Sequence, residues 1–313
     1  SDFFPPNDPW LAGYAISYYY FGYVMAAMLA LLSGAPGTMA FNLMIALLFA
    51  LTGVTVFGIG YNLVRANALS RLRARSDAPG GAPKLLAQPG QRAAVLTGLL
   101  ATVLVVVIGN FQAPLIEVPY NYGASTEYLQ LFDSNERNEQ RLGAPATDLG
   151  SWEYWWFFRA ARVLNDRNLD GSRVEVIDEF PQFSFLLADV HPHVLSLPFA
   201  ALAVGIALSI LLSRRGPNGV QTIFYAVVIG GLIFLNTWDG PIYLAVLLGA
   251  EALRRLIANG RGRLGWGDIG SLALMAVTLI GLAVLFYLPF LLSFRSQLGG
   301  VLPNFLYPTS FAQ

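Results

Sequence analysis

Two stretches of this chain, residues 15–34 and 37–64, carry no charged side chain at all. As helices, each is long enough to cross the roughly 30 Å of hydrocarbon in a bilayer. Inside lipid a backbone must satisfy its own hydrogen bonds, so such runs fold as helices packed on one another. Further apolar runs lie at about 93–110, 194–213, 220–237, 241–257 and 271–294. Only 12% of the residues are charged, against about 25% in a soluble domain. The expected fold class is therefore an all-α polytopic membrane protein with about seven transmembrane helices. Its expected location is the plasma membrane, as a multi-pass protein in contact with the lipid bilayer.

The loops set the orientation. Residues 65–92 hold Arg65, Arg71, Arg73, Arg75, Lys84 and Arg92 against one acid, Asp77. That basic excess, with Arg214–Arg215 and the arginines between 254 and 263, marks the cytoplasmic side. Residues 111–192 hold most of the carboxylates and read as a large extracytoplasmic region. Three parts follow: 1–110 with the first three spans and the basic loop, 111–192 outside the membrane, and 193–313 with the remaining spans and a tail. Counting crossings back from the basic loop places residues 1–14 inside, while their acidic and aromatic character suggests outside. A re-entrant first or second span, or membrane-embedded structure within the basic loop, would remove that conflict. The chain opens on Ser1 without a basic, apolar leader. A processed N-terminus is expected, and the tail YPTSFAQ suggests a longer polypeptide.

Several functions are disfavoured at once. There is no cysteine, so no disulfide, thiolate metal site or cysteine nucleophile is available. Zero net charge argues against nucleic acid as a partner. No phosphate-binding loop, nucleophile elbow or H-E-x-x-H motif is present. A transporter would carry charged or broken helices at mid-membrane, and the spans are read as uncharged there.

The chemistry-bearing residues gather in 176–198, VIDEFPQFSFLLADVHPHVLSLP. Asp189, His191 and His193, the last two being the only histidines, lie beside Glu179. Carboxylate and imidazole are the common acid–base and metal-ligand pair. Pro192 forbids a regular helix through this segment, and an extended one could turn both histidines to one site. The plain alternative is a polar helix cap. Asp166, Asn168 and Asp170, followed by Gly171, match the start of a calcium loop. The closing glutamate is missing, since Ile177 stands there, and a simple turn would need no metal. Asp239, in WDGP, could join the site of Asp189 or sit in an interfacial turn. Tyr18, Tyr19 and Tyr20 could stack on a sugar and bond phosphate, or form an interfacial belt. On a helix, Tyr19 and Tyr23 would share a face. Residues 149–168 place Trp152, Trp155, Trp156, Phe157 and Phe158 beside Arg159 and Arg162. That composition suits an interfacial amphipathic helix with its arginines turned to phosphates.

The strings NDPWLAGYAISYYYFGY, WWFFRAARV, EFPQFSFLLADVHPHVLSLPF and NTWDGPIY occur in that order. In this the chain resembles the YYY-type membrane proteins over roughly residues 5–245. That family is regarded as similar to the GT-C glycosyltransferases, polytopic enzymes that move a sugar from a polyprenyl-phosphate donor at the outer membrane face. The resemblance implies a GT-C-like arrangement with amphipathic helices in the large outer loop. It points to Asp8, Tyr18–Tyr20, Arg159, Arg162, Glu179, Asp189, His191, His193 and Asp239. Asp189 or Glu179, with Asp8, would serve catalysis. The tyrosines, arginines, histidines and Asp239 would bind substrate, a polyprenyl-phosphate lipid. A divalent cation (calcium, magnesium or manganese) could assist. The alternative is a non-catalytic accessory subunit that works with other membrane subunits.

Overall fold

A computed structural model describes residues 5–8, 13–16, 18–76, 90–109, 111, 114–115, 119, 122–125, 127–128, 161, 165–168, 170–260 and 262–294. The chain divides into two compact units. One comprises Ser1–Thr102 with Val190–Leu298, the other Val103–Asp189 with Gly299–Gln313.

In the first unit, α1 (Phe21–Ser33) starts only after the tyrosine triplet, with Tyr20 at its N-cap. It closes on Gly34 in the left-handed region, φ 69°, whose N–H donates to the Ala30 carbonyl. Glycine takes that conformation without the Cβ clash other residues meet. Thirteen residues rise only about 20 Å, short of the hydrocarbon thickness. The charge-free run 15–34 is thus not one continuous spanning helix. If α1 is left out of the crossing count, residues 1–14 fall outside, the side their composition indicates.

α2 (Gly37–Ser76) has 40 residues and outruns the apolar sequence, because the basic residues after Val64 are good helix formers. α3 (Gln91–Thr102) packs closely against it. A Cβ at Gly98 would stand 2.9 Å from the Phe57 carbonyl oxygen, and one at Gly60 would stand 3.2 Å from the Gly98 Cα. Small residues let the two backbones approach. Thr102 Oγ1 then donates across the helices to the Gly53 carbonyl at 3.0 Å.

The core of this unit is built by α5 (Pro192–Leu212), α6 (Gly219–Leu235), α7 (Asp239–Asn259) and α8 (Trp266–Phe286), followed by the short α9 (Leu288–Ser293). Ala203, Ile206, Tyr225, Ile229, Leu232, Leu247 and Leu279 are buried together. Asn218 and Gln221 close a reciprocal capping box at the start of α6, both bonds 2.9 Å. A second cluster joins Tyr20 to Phe234 and Phe290, whose rings stack at 3.7 Å.

Four described helical segments are long and apolar enough to cross a membrane: Gly37–Ser70, Gln91–Ile108, Pro192–Leu212 and Trp266–Phe286. α1 and α6 are apolar but shorter. α7 is excluded from that set by its charges, so the expected apolar run 241–257 is not uncharged throughout. Glu251 lies within α7 and is completely buried. It survives there because Arg254 and Arg255, one turn on, neutralise it.

In the second unit, the chain leaving α3 continues as a π-helical segment, Val103–Ile108. Gly109 (φ 66°) follows, where a Cβ would stand 3.2 Å from that of Phe180. A small antiparallel hairpin pairs β1 (Asn165–Arg167) with β2 (Arg173–Glu175), Asp166 facing Val174. α4 (Pro181–Leu186) comes next, with Pro181 at its first position, where a missing N–H costs nothing.

Candidate functional site

The Glu179–Asp189 pair belongs to the second unit and is built by α4. Glu179 precedes the helix and Asp189 follows it. The helix ends in a Schellman turn: the Asp189 N–H donates to the Ser184 carbonyl at 2.9 Å, and the Ala188 N–H to that of Phe185 at 3.2 Å. Ala188 takes the left-handed position, φ 54°, which glycine ordinarily fills. An alanine there costs about 1 kcal/mol. The turn folds the chain back so that a carboxylate oxygen of Asp189 comes within 4.8 Å of one of Glu179. Both residues are partly buried. Oxygens so spaced suit a shared hard cation, whose ligand bonds run about 2.0–2.6 Å.

The histidines belong to the first unit. His191 is the exposed N-cap of α5, and Pro192 is its first residue, so the helix begins where proline permits. The two imidazoles lie with ring centroids 5.8 Å apart and planes tilted by 31°.

Asp239, the first residue of α7, belongs with His193. Its carboxyl is partly buried and hydrogen-bonded to Ser196 and Asn236, with the His193 charge nearby. Burial pushes its pKa above the ordinary aspartate value, outweighing the two hydrogen bonds and the imidazole, which pull it down. Ser196 adds a constraint. It has one hydroxyl proton and two acceptors to serve, the His193 carbonyl at 2.9 Å and the Asp239 carboxyl.

Two bracing contacts were not legible as such in the sequence. Tyr23 donates its hydroxyl to the Val190 carbonyl at 2.8 Å, between Asp189 and His191. Gly22 lies where any Cβ would run into the Leu195 side chain. The start of α1 is therefore pressed onto the start of α5. Tyr23 and Ser196 had only their nearness to the tyrosine and histidine motifs as a signal.

The other expected residues are placed as follows. Tyr20 is buried against Phe234 and Phe290, with its hydroxyl 3.4 Å from Ser293 Oγ. It serves packing rather than a cleft. Tyr19 stacks on Phe294 at 5.3 Å, while Tyr18 is exposed. Because α1 begins at Phe21, the expected helical face shared by Tyr19 and Tyr23 does not form. Asp8 closes a short N-terminal loop, its N–H donating to the Tyr14 carbonyl at 2.8 Å. Asp166 lies in β1, and Asn168 and Asp170 belong to the turn of the hairpin. Ser172 donates both its N–H (2.8 Å) and its hydroxyl (2.6 Å) to Asp170 Oδ1. Those bonds hold the Asp170 carboxyl below its ordinary pKa. Gly171, φ 84°, makes the reversal, and the turn accounts for this spacing through its own hydrogen bonds. Arg159, Arg162 and the aromatic run 152–158 lie outside the described residues.

Comparison with known proteins gives one result. No curated protein and no solved structure matches the chain. A family model described as "Uncharacterized membrane protein (DUF2298)" matches residues 1–311. Family match and apolar helices agree on a multi-pass membrane protein, and the chain belongs to the DUF2298 membrane protein family.

Proposed function

We propose that the chain is a membrane glycosyltransferase that takes a sugar from a polyprenyl-phosphate donor at the extracytoplasmic face. The observation that carries this reading is the Glu179–Asp189 pair, two carboxylates within 4.8 Å built around a strained helix turn. Transfer from a lipid phosphate needs a base to take the acceptor proton and cations to neutralise the leaving group. Asp189 or Glu179 is the base. Arg159, Arg162 and a histidine hold the phosphate, for which guanidinium offers paired planar donors. The spacing of the carboxylate pair also fits a divalent cation, which would supply charge neutralisation when bound. Asp239, whose burial favours the protonated form, lies beside His193.

The test is transfer by the purified chain in proteoliposomes from a polyprenyl-phosphate sugar. Asp189→Asn should lower the rate by roughly 10²–10⁴-fold, with the elution profile and helical signal unchanged. Wild-type turnover in that variant removes Asp189 from the mechanism.

A second reading, a non-catalytic subunit, is favoured by α8. Only 11% of its apolar window is buried, so it offers a face to a partner helix as readily as to lipid. Polyprenyl phosphate that copurifies with the chain supports the enzyme. A stoichiometric membrane partner on α8, with no such lipid, supports the subunit.

A further inference from the structure

We propose that the groove between α2 and α5 binds an anionic glycerophospholipid, with its headgroup at the arginine-bearing end of α5. A cavity of about 640 Å³ opens between these two helices, within the range of small-molecule sites, about 300–1,000 Å³. Two glycines hollow it out. A Cβ at Gly58 would meet nothing within 4 Å, and one at Gly205 would meet only Ile59, at 3.9 Å.

The wall changes character along its length. Thr55 turns its hydroxyl onto the Leu51 carbonyl at 2.7 Å, so this end offers a methyl group. Ile59 and Leu208 line the middle. Asn62 and Ser213 line the far end. Beyond Ser213 come Arg214 and Arg215, both exposed. Basic residues follow both helices in the sequence, Arg65 on α2 and Arg214–Arg215 after α5, which puts these two ends on the same side of the membrane.

Charge complementarity names the occupant. Arg254 and Arg255 of α7 are held by Glu251. Arg214 and Arg215 form no ion pair among the described residues. Two guanidiniums just past the end of a groove of mixed polar and apolar lining in a membrane protein suit a lipid phosphate of net negative charge. The groove lies in the half of α5 away from His193, so the proposal stands apart from any transferase activity.

The experiment is native mass spectrometry of the full chain released from detergent with phosphatidylglycerol or phosphatidylcholine of identical acyl chains. The expected result is several-fold greater retention of phosphatidylglycerol. Arg214→Gln with Arg215→Gln should abolish that preference while leaving chain-dependent binding. Gly205→Phe should reduce retention of both lipids by filling the groove. Equal retention of the two lipids by the native chain overturns the proposal, as does an unchanged preference in the double arginine variant. That variant changes only exposed side chains, so it decides the matter even where Gly205→Phe fails to fold.

Discussion

Helix α7 carries an acid near each end, and the two are treated in opposite ways. Glu251 is fully buried and met by two guanidiniums. Arg254 donates to both its oxygens at 2.6 and 2.7 Å, and Arg255 adds a bond at 2.8 Å. Arg255 reaches on to Asp268 of α8 at 3.3 Å. This carboxylate has its charge cancelled and its lone pairs filled, so it has no proton to exchange. Asp239 is partly buried among a hydroxyl, an amide and an imidazole. None of these is a permanent cation, so its proton remains in play. Two acids of one helix are thus separated by their partners into a structural group and a chemical one.

The largest expected effect lies on the structural side. Glu251→Gln leaves two arginines without their buried counter-charge and should cost about 3 kcal/mol or more of stability, read as a lower melting temperature in detergent. Asp268→Asn removes the outer charge partner of Arg255 while an amide oxygen can still accept from Asn259 and the Gly265 N–H. It should cost less than about 1 kcal/mol. Equal losses in the two variants would mean that the network is not centred on Glu251.

Asp239 should behave in the opposite sense. Its folded pKa is raised, so its contribution to stability is fully present below the unfolded value, about 3.9. The contribution is lost as pH rises through the folded value. In Asp239→Asn this dependence disappears. The melting temperature of the variant relative to wild type should climb as pH rises from about 4 through the folded value and then level off. Transfer should fall while stability at neutral pH is kept. A variant that loses stability at neutral pH as Glu251→Gln does would erase the distinction between the two acids.

A smaller effect is expected one layer out. Tyr23→Phe deletes one hydrogen bond to the Val190 carbonyl, worth about 1 kcal/mol. Because that carbonyl sits between Asp189 and His191, turnover should fall further than the stability loss accounts for. Wild-type turnover would reduce Tyr23 to ordinary packing.

What the sequence disclosed tracks the range of the interaction involved. The spans at 37–64, 93–110, 194–213 and 271–294 were legible because hydropathy is a local property, and four helical segments fit for crossing overlap them, the last stopping at Phe286. The span expected from about 194 begins instead at Pro192, so His193 lies in the helix and the extended segment considered for both histidines does not form. The start of α1 was not legible. The run 15–34 is uniformly apolar, and what stops the helix at Phe21 is the burial of Tyr20 against Phe234 and Phe290. The end of α2 was hidden because polar helix formers continue a helix that hydropathy no longer marks. Glu251 shows its spacing to Arg254 and Arg255 in the sequence, yet its burial depends on neighbouring helices. The Tyr23–Val190 bond joins residues 167 positions apart, with no periodicity to announce it.

The smallest expected change in stability concerns the carboxylate that the proposed chemistry needs most. Asp189 is placed by Ala188, an alanine held at φ 54°. Ala188→Gly relieves about 1 kcal/mol of backbone strain. Glycine also gains about 0.4–1 kcal/mol of freedom in the unfolded chain, so the two nearly cancel. Melting should therefore shift by less than about 0.5 kcal/mol, the difference between those terms. Placement should suffer more, because glycine admits conformations that swing Asp189 away from Glu179, and transfer should drop several-fold. The Asn variant at 239 loses a proton and keeps its geometry, whereas the Gly variant at 188 keeps every titratable group and loses geometry. A pH–rate profile separates them: it should change shape in Asp239→Asn and only scale down in Ala188→Gly. A changed shape in Ala188→Gly would show that the turn sets the charge of the site as well as its position.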